Sequence, residues 1–232
     1  MDIGHLDALA LRPAHPSPVQ GVERALAIAA TGLAGDVHAD PLSPRQLLLA
    51  GSPAYRDLGL PAHALRENLL LDLDTARLRS GTVLQVGQDV LLRLMFQCEA
   101  CGRLDRQRAG LARAVGARRG MLARVIAGGT IRRGDVVLDL GPLLPPWSDD
   151  WRERVLRVLD AVPAGCVVEY RQLAQLAGIA ATYCRAFPAV LRKLDPARAV
   201  RAVPMRVAPD RPRWDGRGLF DDLALGGTIQ AA

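Results

Sequence analysis

Three prolines fall within five residues of Gly141-Pro-Leu-Leu-Pro-Pro-Trp147. Proline fixes φ and has no N–H to give to a helix or a sheet ladder, so neither element can run through this stretch. The segment reads as a stiff linker over residues 141–148, and the hydrophobic period changes across it. Two domains are therefore expected, 1–140 and 149–232, each long enough to bury a core of its own.

Before the linker the period is that of strands. Thr82–Val86 and Val90–Leu94 flank Gly87-Gln-Asp89, a short hairpin connection. Met121–Ile126 and Val136–Leu140 lie on either side of Gly128-Gly129 and a turn at Arg133-Gly-Asp135. Short helices are expected near Pro53–Leu58 and Arg106–Val115. The half reads as a β-rich, barrel-like domain.

After the linker the period is helical. Ser148 can cap a helix whose first turn holds Asp149 and Asp150, where the positive helix end favours acids. Trp151, Val155, Val158, Leu159 and Val162 form its apolar stripe. Tyr170–Ala177, closed by Gly178, predicts a second helix, and Ala181–Leu194 a third. Two short helices about a glycine turn outline a helix-turn-helix.

Charge discriminates between the halves. The 232-residue chain has a net charge of +6 and a pI near 9.8. Residues 152–217 carry 13 basic and 6 acidic side chains, so this stretch holds the excess. A nucleic-acid footprint is distributed in this way. An Arg-rich chain whose sole lysine is Lys193 also follows from GC-rich coding, and both readings stand. No apolar run reaches the ~18 residues of a membrane span, so no membrane association is expected. The N-terminus has no basic region ahead of an apolar stretch, which sets the expectation of a cytoplasmic protein. Four cysteines, Cys98, Cys101, Cys166 and Cys184, are too few for a disulfide framework.

Several groups in the first half exceed what turns require. Gly32-Leu-Ala-Gly-Asp-Val-His38 sets Asp36 and His38 two apart on a glycine-framed loop. Pro44-Arg45-Gln46 and Arg66-Glu67-Asn68-Leu69 add guanidinium, carboxylate and amide groups. Cys98-Glu-Ala-Cys101-Gly102 follows a strand, and Arg119-Gly120 precedes the next. Each has a plainer reading: Asp36 as a turn acid, His38 as a loop-structuring group, Arg66–Glu67 as an ordinary ion pair, Cys101 as an inert buried thiol. Cys98 and Cys101 make a single Cys-x-x-Cys pair with no second pair for a four-cysteine zinc site. A redox pair remains open, without the βαβ context of thioredoxin-like motifs.

In order and spacing these pieces resemble the MOSC family, the domain type found at the C-terminus of molybdenum-cofactor sulfurases. The likeness spans residues 1–140 and includes Arg-Gly-Met-Leu-Ala-Arg-Val from Arg119 and Gly-Gly-Thr from Gly128. The resemblance implies a β-barrel fold, a molybdenum pyranopterin cofactor, and a key cysteine at Cys101 that handles sulfur or ligates molybdenum. A thiolate is both a sulfur nucleophile and a soft ligand, and Arg103 beside it would favour the ionised form. Arg45 and Arg66 would clamp a phosphate through planar forks, and Asn68 would meet a pterin edge. Asp36 and His38 complete the expected cofactor-binding set. Cys98 is extra to the family pattern.

The second half resembles the DNA-binding domain of O6-alkylguanine-DNA alkyltransferases and alkyltransferase-like proteins, from Trp151 to about Pro209. The likeness rests on Arg154–Gly165, Val167–Ala174, Ala177-Gly178, Arg185-Ala and Val203-Pro-Met-Arg-Val207. It implies a winged helix-turn-helix that flips a nucleotide, with Tyr170 at the backbone and Arg185 filling the vacated stack. The plainer readings are a core aromatic at Tyr170 and a solvated charge at Arg185. The nucleophilic cysteine of that family is Met205 here, and a thioether cannot accept an alkyl group as a thiolate does. Pro188 falls inside the expected third helix, where it would bend it. Cys166 and Cys184 match no family site and read as small buried hydrophobes.

The combined expectation is a MOSC-type molybdenum-pyranopterin-binding or sulfur-handling protein acting through Cys101, fused to a non-catalytic module binding DNA through residues 149–217. Its substrate would be an N-hydroxylated or otherwise modified base. Its activity would be that of a reductase or sulfur transferase, not an alkyltransferase, served by an electron-donor or sulfur-donor protein. The alternative is a non-enzymatic DNA-damage recognition protein whose first half is scaffold.

Overall fold

Val90–Gln97 and Met121–Ala127 are apolar at nearly every position, as strands covered on both faces must be. In the computed structural model, which describes residues 1–207 and 210–230, these are two neighbouring strands of a closed sheet. The strands are β1 (Asp2–Leu11), β2 (Gln20–Val22), β3 (Arg24–Ile28), β4 (Gly32–Leu33), β5 (Leu47–Gly51), β6 (Leu69–Leu71), β7 (Val83–Val86), β8 (Val90–Gln97), β9 (Met121–Ala127), β10 (Gly129–Arg132) and β11 (Val136–Asp139). Their order is β11-β7-β8-β9-β5-β6-β1-β2, and β1 also pairs with β11, which closes the expected barrel. The β5–β6 pair is parallel and the other pairs of this sheet are antiparallel. A smaller sheet runs β10-β3-β4.

The barrel interior holds Leu6, Leu9, Leu47, Leu49, Leu92, Leu94, Met121, Ala123 and Val125. Leu6 and Leu9 are an odd number of residues apart yet share that core. A bulge between Leu6 and Ala8 restores the phase. The outer face of β5 and β6 is covered by α1 (Ser52–Leu58), α2 (Gly102–Asp105) and α3 (Leu111–Val115), through Ala50, Ala54, Leu65, Leu104, Leu111 and Val115. The helix expected over 106–115 is thus the shorter α3. Arg108 N–H bonds to Leu104 O, and Gly110 at φ 76 breaks the run before α3 begins.

The chain divides into two compact units. The first runs to Trp147 without residues 42–44, and it includes the helix Asp222–Gln230. The proline-rich segment therefore packs as part of the barrel unit: Leu144 and Trp147 are buried, and Trp147 N–H donates to Ser80 Oγ at 2.7 Å. Ile229 packs with Val83, Leu91, Ile126 and Leu144, so the last helix does not group with 149–221.

The second unit comprises α4 (Trp151–Ala161), β12 (Val168–Glu169), α5 (Tyr170–Leu176), α6 (Phe187–Leu194), α7 (Pro196–Ala199) and β13 (Ala202–Val203), together with Leu42–Pro44. The last helix of the first unit is then α8 (Asp222–Gln230). The α4 stripe is buried as expected at Val155, Val158, Leu159 and Val162. Its cap is Asp150, whose carboxylate accepts from Arg152 N–H at 2.9 Å, while Ser148 accepts from Asp150 N–H. The expected third helix is two elements, a 3-10 turn over Ala181–Arg185 and α6. The division puts Pro188 in the first turn of α6, where a missing N–H costs no intrahelical bond, so it starts the helix and does not bend it. β12 and β13 pair in parallel, and the described residues form no antiparallel wing hairpin. Cys166 and Cys184 are half-buried, not core residues. Pro209, the expected end of the second likeness, lies outside the described residues. Among the described residues no helix is long and apolar enough to cross a membrane.

Candidate functional site

The first unit gathers polar groups where β1 ends, β6 begins and the loop after β4 folds back. Val37 N–H bonds to Arg12 O at 2.8 Å, which pins that loop to the end of β1. Asp36 is thereby carried inside, and its side chain has no exposed surface. Its Oδ2 accepts from Arg12 N–H and from Asn68 Nδ2, both at 2.9 Å. Its Oδ1 accepts from His38 N–H at 2.8 Å and lies 3.0 Å from His38 Nδ1. Burial disfavours the charged form, but the hydrogen bonds from His38 and Arg12 outweigh it and hold the acid below the usual carboxylate range. Asp36 therefore acts on a ligand only through its neighbours.

Asn68 is equally internal. Its Oδ1 takes Leu48 N–H at 3.1 Å, and Nδ2 donates to Ala10 O as well as to Asp36. With both amide hydrogens used, Asn68 ties β1, β5 and β6 to the Asp36 loop. Its expected place at a pterin edge becomes that of a support.

His38 stands between Asp36 and Arg12. With Nδ1–H assigned toward Asp36, Nε2 accepts from Arg12 Nη2 at 2.7 Å. The ring is partly exposed and meets His15 edge-on, with centroids 5.7 Å apart. Loss of hydration and the positive charges of Arg12, His38, Arg66 and Arg103 push the His15 pKa down.

Around this core stand four guanidinium groups. Arg12 and Arg119 are 6% and 7% exposed, and each has an Nε–H buried without a hydrogen-bond partner. Burial, then the charges of Arg66 and Arg103, lower the Arg12 pKa, and Asp36 offsets part of this. Arg66 is lowered by burial and by Arg103 and Arg119. The charges of these groups oppose one another, a cost that an oxyanion would relieve.

Arg66 also has left-handed backbone at φ 56. Buried Glu67 holds the segment: Tyr55 OH donates to Oε2 at 2.5 Å, His63 Nδ1 lies 3.3 Å from Oε1, and Leu65 N–H donates to Tyr55 OH. Glu67 thus bonds away from Arg66 and is not its ion-pair partner. Arg119 donates to Leu65 O at the same place.

Cys101 is exposed at the N-cap of α2, and Leu104 N–H bonds to its carbonyl at 2.9 Å. Leu104 buries against α1 and α3, which fixes this turn. Arg103, two residues on, contributes to the field at Arg12, Arg66 and His15. Cys98 is buried, and Arg45 Nη2 approaches its sulfur at 3.8 Å. Arg45 therefore reaches a thiol, while Arg66 lies within the field of Arg103 and Arg119. Among the described residues no group of three or more His, Cys, Asp or Glu side chains is placed to hold a metal ion.

In the second unit, Tyr170 opens α5 and packs edge-on against Phe187, with ring centroids 5.7 Å apart. Burial raises its pKa, and Arg192 opposes this. Arg185 is exposed at the end of the 3-10 turn, and Met205 is 70% exposed. Arg171, Arg185, Lys193 and Arg206 are exposed and have no carboxylate partner among the described residues.

The sequence pattern did not single out Arg12 and His15, and gave Arg119 no role. All three depend on non-local packing, because the site joins segments 24 to 58 residues apart.

Residues 38–138 match the family described as MOSC domain. No curated protein matches the chain. A crystal structure of a hypothetical protein is 17% identical, covers 84% of this chain and 92% of its own, and superposes with a TM-score of 0.53. YiiM from Escherichia coli is 16% identical, covering 83% of this chain and 94% of its own at a TM-score of 0.48. The YUAD protein from Bacillus subtilis is 16% identical over 58% and 93%, with a TM-score of 0.49. The first of these likenesses is one of fold alone.

Proposed function

We propose that this chain, which carries a MOSC domain at residues 38–138, binds a molybdenum pyranopterin in its first unit or handles sulfur through Cys101. The carrying observation is the set of mutually repelling guanidinium groups at Arg12, Arg66, Arg103 and Arg119, two of them with a buried, unpartnered Nε–H. That donor set suits the phosphate end of such a group. The exposed Cys101 thiol, on the same turn as Arg103, suits its soft metal. When bound, the group supplies two-electron redox chemistry, with N-hydroxylated bases as the proposed substrates. Cys101 is its protein thiol, and Asp36, His38 and Asn68 hold Arg12 and the strand ends in register.

The test is the molybdenum and pterin content of the freshly purified chain from cells able to make the cofactor. Near-stoichiometric amounts of both are expected, with molybdenum lost in Cys101→Ala and pterin lost in Arg66→Ala. Absence of both from the wild-type protein overturns cofactor binding and leaves sulfur handling or a scaffold role for the first unit.

A second reading concerns the second unit, where four exposed cations lack carboxylate partners among the described residues. We infer that this unit binds nucleic acid as a non-catalytic, alkyltransferase-like module, with Arg185 and Tyr170 at the contact. Met205 supplies no thiolate, so alkyl transfer forms no part of it. Phosphate contacts make affinity fall steeply with salt. Binding of a labelled DNA duplex by the full chain should weaken at least tenfold between low and moderate salt, and weaken again in Arg185→Ala. A salt-independent affinity, or none, overturns this. Loss of DNA binding in Cys101→Ala would sink the alternative of a damage-recognition protein whose first unit is scaffold.

A further inference from the structure

Cys98 and Cys101 differ in a way that divides labour between them. Cys101 is exposed, so a sulfur donor can reach it, whereas Cys98 is 6% exposed and closed to a bulky donor. Cys98 is also held in place. Its N–H bonds to Gly120 O at 2.8 Å, and Gly120 sits at φ 119 so close to β5 that a Cβ would lie 2.2 Å from Leu49 O. Arg45 Nη2 lies 3.8 Å from the Cys98 sulfur, a guanidinium donor suited to negative charge on that atom.

We propose that Cys98 is the resolving thiol for a persulfide carried by Cys101, releasing its outer sulfur as hydrosulfide by closing a Cys98–Cys101 disulfide. This rests on the sulfur-handling role proposed for Cys101. In the first step the Cys101 thiolate attacks the outer sulfur of a persulfide donor R–S–SH. A Cys101 Sγ–S bond forms, the donor S–S bond breaks, and the donor leaves as RS⁻. In the second step Cys98, its proton given to solvent, attacks Cys101 Sγ. The Sγ–Sγ bond forms, the Cys101 Sγ–S bond breaks, and the outer sulfur leaves as HS⁻. The sulfane sulfur is reduced to sulfide, and the two cysteine thiols are oxidised to the disulfide. A small dithiol or a dithiol protein then reduces that disulfide and resets the site.

The tether permits closure. Only Glu99 and Ala100 separate the two cysteines, in a stretch without regular structure. Three chain steps span about 10 Å when extended. A disulfide needs its Cα atoms roughly 4.4–6.8 Å apart, so closure requires Glu99 and Ala100 to fold in from the extended form.

The experiment loads the reduced full-length protein with inorganic polysulfide and follows hydrosulfide release together with intact and peptide mass. In wild type, release is expected with a species about 2 Da lighter than the reduced chain, carrying a linked Cys98–Cys101 peptide. In Cys98→Ala, an adduct of about 32 Da should persist on Cys101, with release slowed at least tenfold. Cys101→Ser should show neither product. Arg45→Met should slow closure, with Arg45→Lys partly restoring it. Thermal unfolding of each variant checks that it is folded, and Cys98→Ser provides a second block. The inference is overturned if the persulfide on wild-type Cys101 persists as long as in Cys98→Ala. If wild-type Cys101 takes up no sulfur, the underlying sulfur reading falls with it.

Discussion

Asn68 Nδ2 donates to Asp36 Oδ2 at 2.9 Å across 32 residues of chain, and through this bond the start of β6 holds the loop that presents His38 to Arg12. Both groups are buried, so neither can trade this bond for water. The cost of disturbing it follows from what surrounds Asp36. Both Arg12 N–H and Asn68 Nδ2 point at one oxygen, and His38 N–H points at the other. An amide in place of the carboxylate must set its own NH₂ against donors in either orientation. Asp36→Asn should therefore destabilise the protein by about 2–4 kcal/mol, measured by urea unfolding.

The same carboxylate gives a pH dependence. Its folded pKa is depressed, so its stabilising contribution is present above the unfolded value near 4 and is lost as pH falls through the folded value. Unfolding curves below about pH 4 should show wild type losing stability faster than Asp36→Asn.

His15 carries the opposite linkage. Its folded pKa is lowered by loss of hydration and by neighbouring positive charge, so the folded state resists its protonation. That costs stability as pH falls through the unfolded value of about 6.5, levelling off below the folded one. An oxyanion among Arg12, Arg66 and Arg103 neutralises part of the field responsible. Added inorganic phosphate should raise the His15 pKa in an NMR titration, and an unmoved titration would remove His15 from the site.

Arg66 sets function against stability. Left-handed backbone costs a non-glycine residue roughly 1–2 kcal/mol, and glycine occupies it freely. Arg66→Gly should leave the fold as stable or up to about 1 kcal/mol more stable, after the entropy glycine adds to the unfolded chain. Phosphate binding should weaken in the same variant. Thermal unfolding with and without phosphate reads both effects.

The barrel was legible at the level of strands because β7, β8 and β9 are apolar runs bounded by Gly87 and Gly128. Its closure was not, because the β1–β11 pairing joins residues such as His5 and Val136, and nothing local specifies that register. The proline-rich segment shows a related limit. Its lack of N–H groups excluded helix and central strand, but Leu144 and Trp147 bury themselves on the barrel unit all the same. Motifs singled out Asp36, His38, Arg66 and Cys101 as candidates. They could not single out Arg12, since it lies at a strand end where only the fold brings it to His38. The helix expected over 181–194 failed because apolar spacing alone did not weigh Pro188 as a helix start.

Tyr55 offers the last and most stringent check, because its hydroxyl bridges Leu65 N–H and the buried Glu67 carboxylate. The oxygen accepts from Leu65 N–H at 3.0 Å and donates to buried Glu67 at 2.5 Å. Burial, then the charge and hydrogen bond of Glu67, push the phenol far above its ordinary pKa. Tyr55 should therefore form no phenolate until the first unit unfolds, visible as a missing tyrosinate step in alkaline absorbance titration. Tyr55→Phe strips Leu65 N–H of its acceptor and the Glu67 carboxylate of its hydroxyl donor at once. A charged acceptor left short of a donor in the interior costs about 2–3 kcal/mol, which denaturant unfolding would register. Because Glu67 sits between Arg66 and Asn68, the variant should also weaken phosphate binding without touching the ligand. A Tyr55→Phe protein as stable as wild type would mean that the Glu67 network does not hold the Arg66 segment.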